Sequence, residues 1–172
     1  MFPYGDHRAF DRLVHEYQSV VRRFLLNLTL GDEALADDLA QDTFLRAWQG
    51  IGQYRGEAHL QTWLLRIAYN VFYDHRRRNS RTEAIPMDYS APVLRTLQAR
   101  EPSEATAIDV RRAMAVLSSD ERSCVTLQMI DGEPIDSIAE ITGMPANTVK
   151  SHLRRGKEKL KIFLKQNGYD GK

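Results

Sequence analysis

The helical periodicity of this chain breaks off once, and the break limits what the chain can become. Apolar residues recur every three or four positions as far as Phe72, and helical pattern resumes at about Ser103. Between Asn79 and Pro102 the pattern is absent, and Pro86, Pro92 and Pro102 punctuate a polar stretch. Proline lacks a backbone donor and restricts the residue before it, so this stretch reads as a flexible linker of roughly 24 residues. No segment alternates with the period of a half-buried strand. The fold class is therefore all-α, with two small helical domains, residues 1–78 and 103–172, joined by a tether over 79–102.

Three helices are expected in the first domain. Phe10, Leu13, Val14, Tyr17, Val21, Phe24, Leu25 and Leu28 share one face, and Gly31 and Asp32 end that helix. A second runs from about Glu33 to Trp48, with Leu35, Leu39, Phe44, Ala47 and Trp48 turned inward. The glycine-rich "GIGQYRGEAH" reads as a loop. In the third helix Trp63, Leu64, Ile67, Ala68, Val71 and Phe72 form the apolar stripe, and Arg76, Arg77 and Arg78 close it. In the second domain Ser118 and Glu121 stand at capping-box spacing, opening a helix that stops near Gly132. Helices follow from about Pro134 to Thr142 and from about Pro145 to Gln166.

The formal charge of +1 hides a segregation. Residues 101–140 hold nine acids and three bases, whereas from Gly143 onward there are eight bases and two acids. Separated charge of this kind suggests a surface that meets a polyanion. Cys124 is the only cysteine, which rules out an intrachain disulfide and fits a reducing compartment; it reads as a small buried residue. No apolar run resembles a signal peptide or approaches a membrane span, so a cytoplasmic protein without membrane insertion is expected. The histidines lie apart from other ligand types, and no glycine-rich phosphate loop or dinucleotide fingerprint occurs. No metal and no cofactor are expected.

The stretch "NTVKSHLRRGKEKLK" concentrates six cations against one acid. Val149, Leu153, Gly156, Leu160 and Phe163 share one helical face, which places Asn147, Lys150, Ser151, Arg154 and Arg155 on the side left free once the helix packs. The preceding short helix and Gly143 complete a helix–turn–helix layout with the second helix as reader. Arg and Lys bond guanine edges or phosphates, and Asn, Ser and His, here including His152, also reach base edges.

Two stripes in the first domain carry chemistry of their own. Asp38, Gln41, Asp42 and Leu45 recur at one-turn spacing and form an acidic outward stripe, which repels DNA and suits a basic protein partner. Thr62, Arg66, Tyr69, Tyr73, Arg76 and Arg77 form a basic face interleaved with aromatics. Bases leaving a duplex stack on aromatics while arginines follow phosphates, so this face suits an unpaired strand.

The motifs resemble those of the sigma-70 family of bacterial RNA polymerase, extracytoplasmic-function type. "SIAEITGMPANTVKSHLRRGKEKL" is similar to region 4 of those factors, with Asn147 where Gly is frequent and His152 where Arg is frequent. "ALADDLAQDTFLRAWQGIGQYRGEAHLQTWLLRIAYN" resembles region 2, whose members carry D-L-x-Q-x-x-F-x-x-A-W, an F-R-G-E/D loop and T-W-L-x-R-I-A-x-N; Tyr54 replaces the loop Phe. The resemblance implies a promoter-specificity factor with no catalysis of its own. It implies that the acidic stripe grips the clamp helices of the largest polymerase subunit, and that region 4 meets the flap of the second-largest. Glu57, Ala58, His59 and Asn70 would line a pocket for a −10 base beside the basic-aromatic face, and the reader helix would take the −35 element. An anti-sigma protein is a further expected partner.

Promoter elements roughly 25 base pairs apart stand about 85 Å apart. A relaxed tether of this length spans about 27 Å and an extended one roughly 80 Å. The expectation is that polymerase holds the tether stretched. The alternative is a free-standing helix–turn–helix regulator, which leaves both stripes of the first domain idle. A magnesium-dependent nuclease built on Asp37, Asp38 and Asp42 lacks an accompanying base or nucleophile.

Overall fold

The computed structural model describes residues 6–82 and 105–169; most of the tether and both termini lie outside that set. Helix α1 spans His7–Leu28 and is capped by Asp6, whose carboxylate accepts from the Ala9 N–H at 3.1 Å. It buries Leu13, Val21, Phe24, Leu25 and Leu28. A turn through Leu30, which takes a left-handed φ of 55°, leads to Asp32, the cap of α2 (Glu33–Gly50). Ala36, Leu39, Thr43 and Ala47 bury the inner face of α2. A single 3₁₀ turn, Ile51–Gln53, precedes the loop into α3, Leu60–Thr82, which continues past Arg78 without a break. These three helices pack pairwise against one another.

In the second half, α4 covers Ala105–Ala115 and α5 covers Ser119–Val125. The capping box forms in full. The Glu121 N–H donates to Ser118 Oγ at 3.2 Å, and the Ser118 N–H donates to Glu121 Oε2 at 2.9 Å. The helix expected to run on to Gly132 instead widens into a π turn at Thr126–Ile130. Then come α6, Ile135–Thr142, and α7, Ala146–Gln166. Gly143 sits at φ 73°, and its N–H closes on the Ala139 carbonyl at 2.9 Å, the left-handed stop that frees α7 to turn away. Gly156 lies where α7 crosses α5; a Cβ there would stand 2.8 Å from Val125 Cγ2. Its lack of a side chain is what lets the two helices meet so closely.

The two halves pack together, which the sequence reading, with its two separate modules, does not foresee. Helix α3 lies along α6, α1 touches α5 and the π turn, and one buried apolar cluster runs through both halves. Arg122, only 4% exposed, donates to the Met114 and Leu117 carbonyls, each at 3.0 Å, and across to the Leu28 carbonyl at 3.4 Å. A buried guanidinium supplied with acceptors in this way fastens α4, α5 and the end of α1 to each other.

Candidate nucleic-acid interface

On α7 the packed face is Val149, Leu153 and Gly156, all buried. Asn147, Lys150, Arg154 and Arg155 are exposed on the other side, and Ser151 and His152 are half-buried along its edge. The Ser151 hydroxyl donates to the Asn147 carbonyl at 3.0 Å. His152 Nδ1 is enclosed and, among the described residues, has no hydrogen-bond partner. Lys159, on the flank, bonds Glu121 at 2.8 Å and so supports the capping box. Burial opposes ionisation of the Glu121 carboxyl. The hydrogen bonds from Lys159 and Ser118 outweigh it and hold the group below its ordinary range.

The loop before α3 is shaped by Tyr54. Its hydroxyl donates to the Ala58 carbonyl at 2.5 Å, and its ring lies 5.2 Å from that of Trp63. A phenylalanine at that position would have no such bond, so the departure from the family motif has a structural use that the sequence alone does not reveal. Glu57 and His59 are exposed around the turn and Ala58 is half-buried.

Along α3 the expected strand-binding face splits in two. Arg66, Asn70 and Arg77 are exposed. Arg77 pairs with Asp74, which also binds Arg46 at 2.8 Å. Thr62 and Tyr69, by contrast, are 3% and 8% exposed, and Tyr73 and Arg76 are half-buried under the second domain. The Tyr69 and Tyr73 rings lie 4.4 Å apart. The Tyr73 hydroxyl donates to Asp120 at 3.0 Å and lies 3.1 Å from Ser119 Oγ, to which Arg76 also donates. Burial pushes the ionisation of both tyrosines upward. Flanking these contacts, Arg23 pairs with Asp131 at 2.6 Å and Gln61 donates to Glu133 at 2.7 Å. Nothing in the sequence reading singled out Arg23, Gln61, Ser119, Asp120, Asp131 or Glu133.

On α2, Asp38, Gln41, Asp42 and Leu45 are all exposed, Leu45 to 61%. Asp37 is turned aside by an ion pair with Arg22 at 2.6 Å. Beside the stripe runs an apolar groove between α1 and α2, lined by Phe10, Val14, Phe44 and Trp48. The Trp48 ring is packed by His7 and Phe10, at 4.8 and 4.9 Å. Cys124 is buried, which pushes its thiol up to about 12 and keeps it protonated at neutral pH. Among the described residues no group of three or more His, Cys, Asp or Glu is placed to hold a metal ion, and no helix is long and apolar enough to cross a membrane.

An all-helical pair of domains, one with a basic-aromatic helix beside an acidic stripe and the other with a helix–turn–helix, has the architecture of a DNA-binding protein. Residues 13–82 match the family model for Sigma-70 region 2 and residues 107–160 match that for Sigma-70, region 4. The chain belongs to the sigma-70 family, as a factor of the extracytoplasmic-function type that gives RNA polymerase its promoter specificity. The ECF RNA polymerase sigma factor SigM of Mycobacterium tuberculosis is 34% identical over 161 residues, which cover 93% of this chain and 79% of that protein. The ECF RNA polymerase sigma-E factor of Escherichia coli is 32% identical over 171 residues, 91% of this chain and 86% of the relative. Among solved structures, the sigma factor RpoE in complex with the anti-sigma factor NepR, from Bartonella quintana, superposes with a TM-score of 0.75 at 25% identity. It covers 92% of this chain and 98% of that one.

Proposed function

We propose a division of labour among the surfaces described above. Asp38, Gln41, Asp42 and Leu45 bind the clamp helices of the largest polymerase subunit. Glu57, Ala58, His59 and Asn70, with Thr62, Arg66, Tyr69, Tyr73, Arg76 and Arg77, take the unpaired strand of the −10 element. Asn147, Lys150, Ser151, His152, Arg154 and Arg155 read the −35 duplex. Residues 1–78 and 103–172 act as the two working units, with 79–102 as the tether between them and the flap of the second-largest subunit as a contact of the second unit. The protein makes no bonds itself and works in the cytoplasm, where polymerase supplies the catalysis. The relative solved with NepR supports an anti-sigma protein as a further partner.

One observation carries this reading: the exposed cations of α7, Lys150, Arg154 and Arg155, stand on the side opposite its packed Val149, Leu153 and Gly156. A helix held from behind with its cations outward is what groove insertion requires. Run-off transcription with core polymerase on a pool of genomic promoters, followed by sequencing of the start sites, tests it. Initiation at defined sites sharing two elements is the expected outcome; failure to bind core polymerase or to direct any defined start overturns it.

A further inference from the structure

We infer that Arg46 and Arg77, aligned by Asp74 between α2 and α3, form a phosphate site that grips the DNA backbone a few nucleotides from the −10 base pocket. The inference rests on the reading of α3 as the strand-binding helix. It adds a residue of α2, Arg46, which none of the surfaces proposed above includes.

The site is an open cavity of about 350 Å³ lined by Arg46, Asp74, Arg77 and Arg78. Arg46 donates to Asp74 Oδ2 at 2.8 Å, Arg77 donates to Oδ1, and Arg78 Nε donates to the Asp74 carbonyl at 3.4 Å. Three guanidiniums around one carboxylate leave positive charge in excess. The bond from Arg46 is the chief cause that holds the Asp74 carboxyl below its ordinary range, while burial works the other way. Asp74 therefore stays charged at neutral pH and keeps its hold on both arginines. A guanidinium carries five N–H donors, and Arg46 and Arg77 each give one to Asp74. Both side chains remain exposed in the closed form, in which the two halves are packed together. A carboxylate that holds one corner of two planar forks aligns them without using them up. Aligned forks lose little freedom on meeting an oxyanion, and phosphate suits their paired donors. The Arg23–Asp131 pair is the contrast. One guanidinium meets one carboxylate there, and Asp131 Oδ2 is buried and, among the described residues, without a partner. No positive charge is left over to draw an anion.

The position of the site identifies the anion. Arg66, Asn70, Asp74 and Arg77 follow at spacings of four, four and three, so they share one face of α3. Asn70 belongs to the proposed base pocket, and Arg77 stands about 10 Å further along the helix. That distance is the rise of about three stacked nucleotides. A strand with one base at Asn70 therefore carries a phosphate past Arg77 and Arg46. A phosphodiester offers two non-bridging oxygens, one for each guanidinium.

The test uses holoenzyme and fork DNA from a promoter it transcribes. A single neutral methylphosphonate linkage is moved position by position along the −10 strand. With the native protein, one position about three nucleotides from the base at Asn70 should weaken binding about tenfold. Arg46→Gln keeps a donor for Asp74 but loses the charge. It should bind native DNA about tenfold more weakly and lower the salt slope by about 1, and the neutral linkage at that position should cost it nothing further. Arg46→Lys should recover the salt slope and only part of the affinity. Asp74→Ala should blunt the same linkage, and Asp74→Asn, which keeps an acceptor, should restore it. An unchanged salt slope and linkage profile in Arg46→Gln overturn the inference even if its unfolding midpoint falls, because a purely structural tie moves stability alone. Tighter binding by Asp74→Ala overturns the aligning role, since the carboxylate then competes with DNA. If an Arg66→Ala, Asn70→Ala variant initiates as well as the native protein, the strand-binding reading of α3 fails and the inference falls with it. If that variant is impaired but no linkage couples to Arg46, the phosphate site alone is wrong.

Discussion

Helices α3 and α7 carry polar faces of similar make-up, yet the fold treats them in opposite ways. The cations of α7 lie exposed opposite a face packed on α5 and α6, whereas much of the face of α3 is turned into the other domain. On the proposed reading of the two helices, the difference follows from what each face binds. A duplex groove is present before transcription begins, so a reader helix can be permanently displayed. An unpaired strand exists only once DNA has opened, and a displayed aromatic-basic face would bind any polyanion in the meantime.

The comparison breaks most readily at Arg122, which fastens both halves. Arg122→Ala leaves the Leu28, Met114 and Leu117 carbonyls without this donor. It should cost about 3 kcal/mol of folding stability, seen in urea unfolding monitored at both domains. Loss confined to the second domain would show that the two halves do not share their stability. Next in size, Arg154→Ala should lose about 1–3 kcal/mol at the upstream element and relax its sequence preference if the guanidinium bonds a base. The loss should be the same for free protein and holoenzyme, because α7 is exposed in the closed form. A loss spread evenly over all sequences would assign Arg154 to phosphate. Smaller again, Tyr54→Phe removes only the hydroxyl bond to Ala58. It should cost about 1 kcal/mol and weaken −10 discrimination without touching the upstream element; an equal loss at both elements would show that the loop is merely structural.

Much of this contrast was legible in the sequence. Helical periodicity locates α1, α2, α3, α6 and α7, and the signals at Asp32, Ser118, Glu121 and Gly143 all mark real helix ends. The free face of α7 follows from the spacing of Val149, Leu153 and Gly156, because a helix packed on one side has no choice about the other. The covered face of α3 did not follow. Tyr73 and Ser119, or Arg23 and Asp131, are polar residues far apart in the chain, and each by itself resembles a solvated side chain. No period announces a contact between two polar surfaces. The π turn was hidden for a related reason: the backbone hydrogen bonds that widen Thr126–Ile130 leave no mark in the order of its side chains.

The smallest expected effect sharpens the comparison most, because two substitutions in one ion pair should act with opposite sign. Burial raises the Asp131 carboxyl above its ordinary value and Glu133 adds to that, while Arg23 works against both. A carboxyl raised by closure contributes stability that is fully present below its ordinary pKa and is lost as pH rises through the raised value. At neutral pH the charged Asp131 therefore costs the closed form something that Arg23 only partly offsets. Arg23→Ala removes the offset and should open the chain, by less than about 1 kcal/mol given that Arg23 is half-exposed. Asp131→Asn removes the charge, keeps an acceptor for Arg23, and should hold the chain closed or close it further. Energy transfer between dyes on α2 and α7, followed as pH falls from neutral toward 4, should report progressive closure in the native protein and a flatter response in Asp131→Asn. If both substitutions open the chain equally, Arg23–Asp131 is a net tie rather than a strained one, and the closed form is held more firmly than its unpaired Oδ2 suggests.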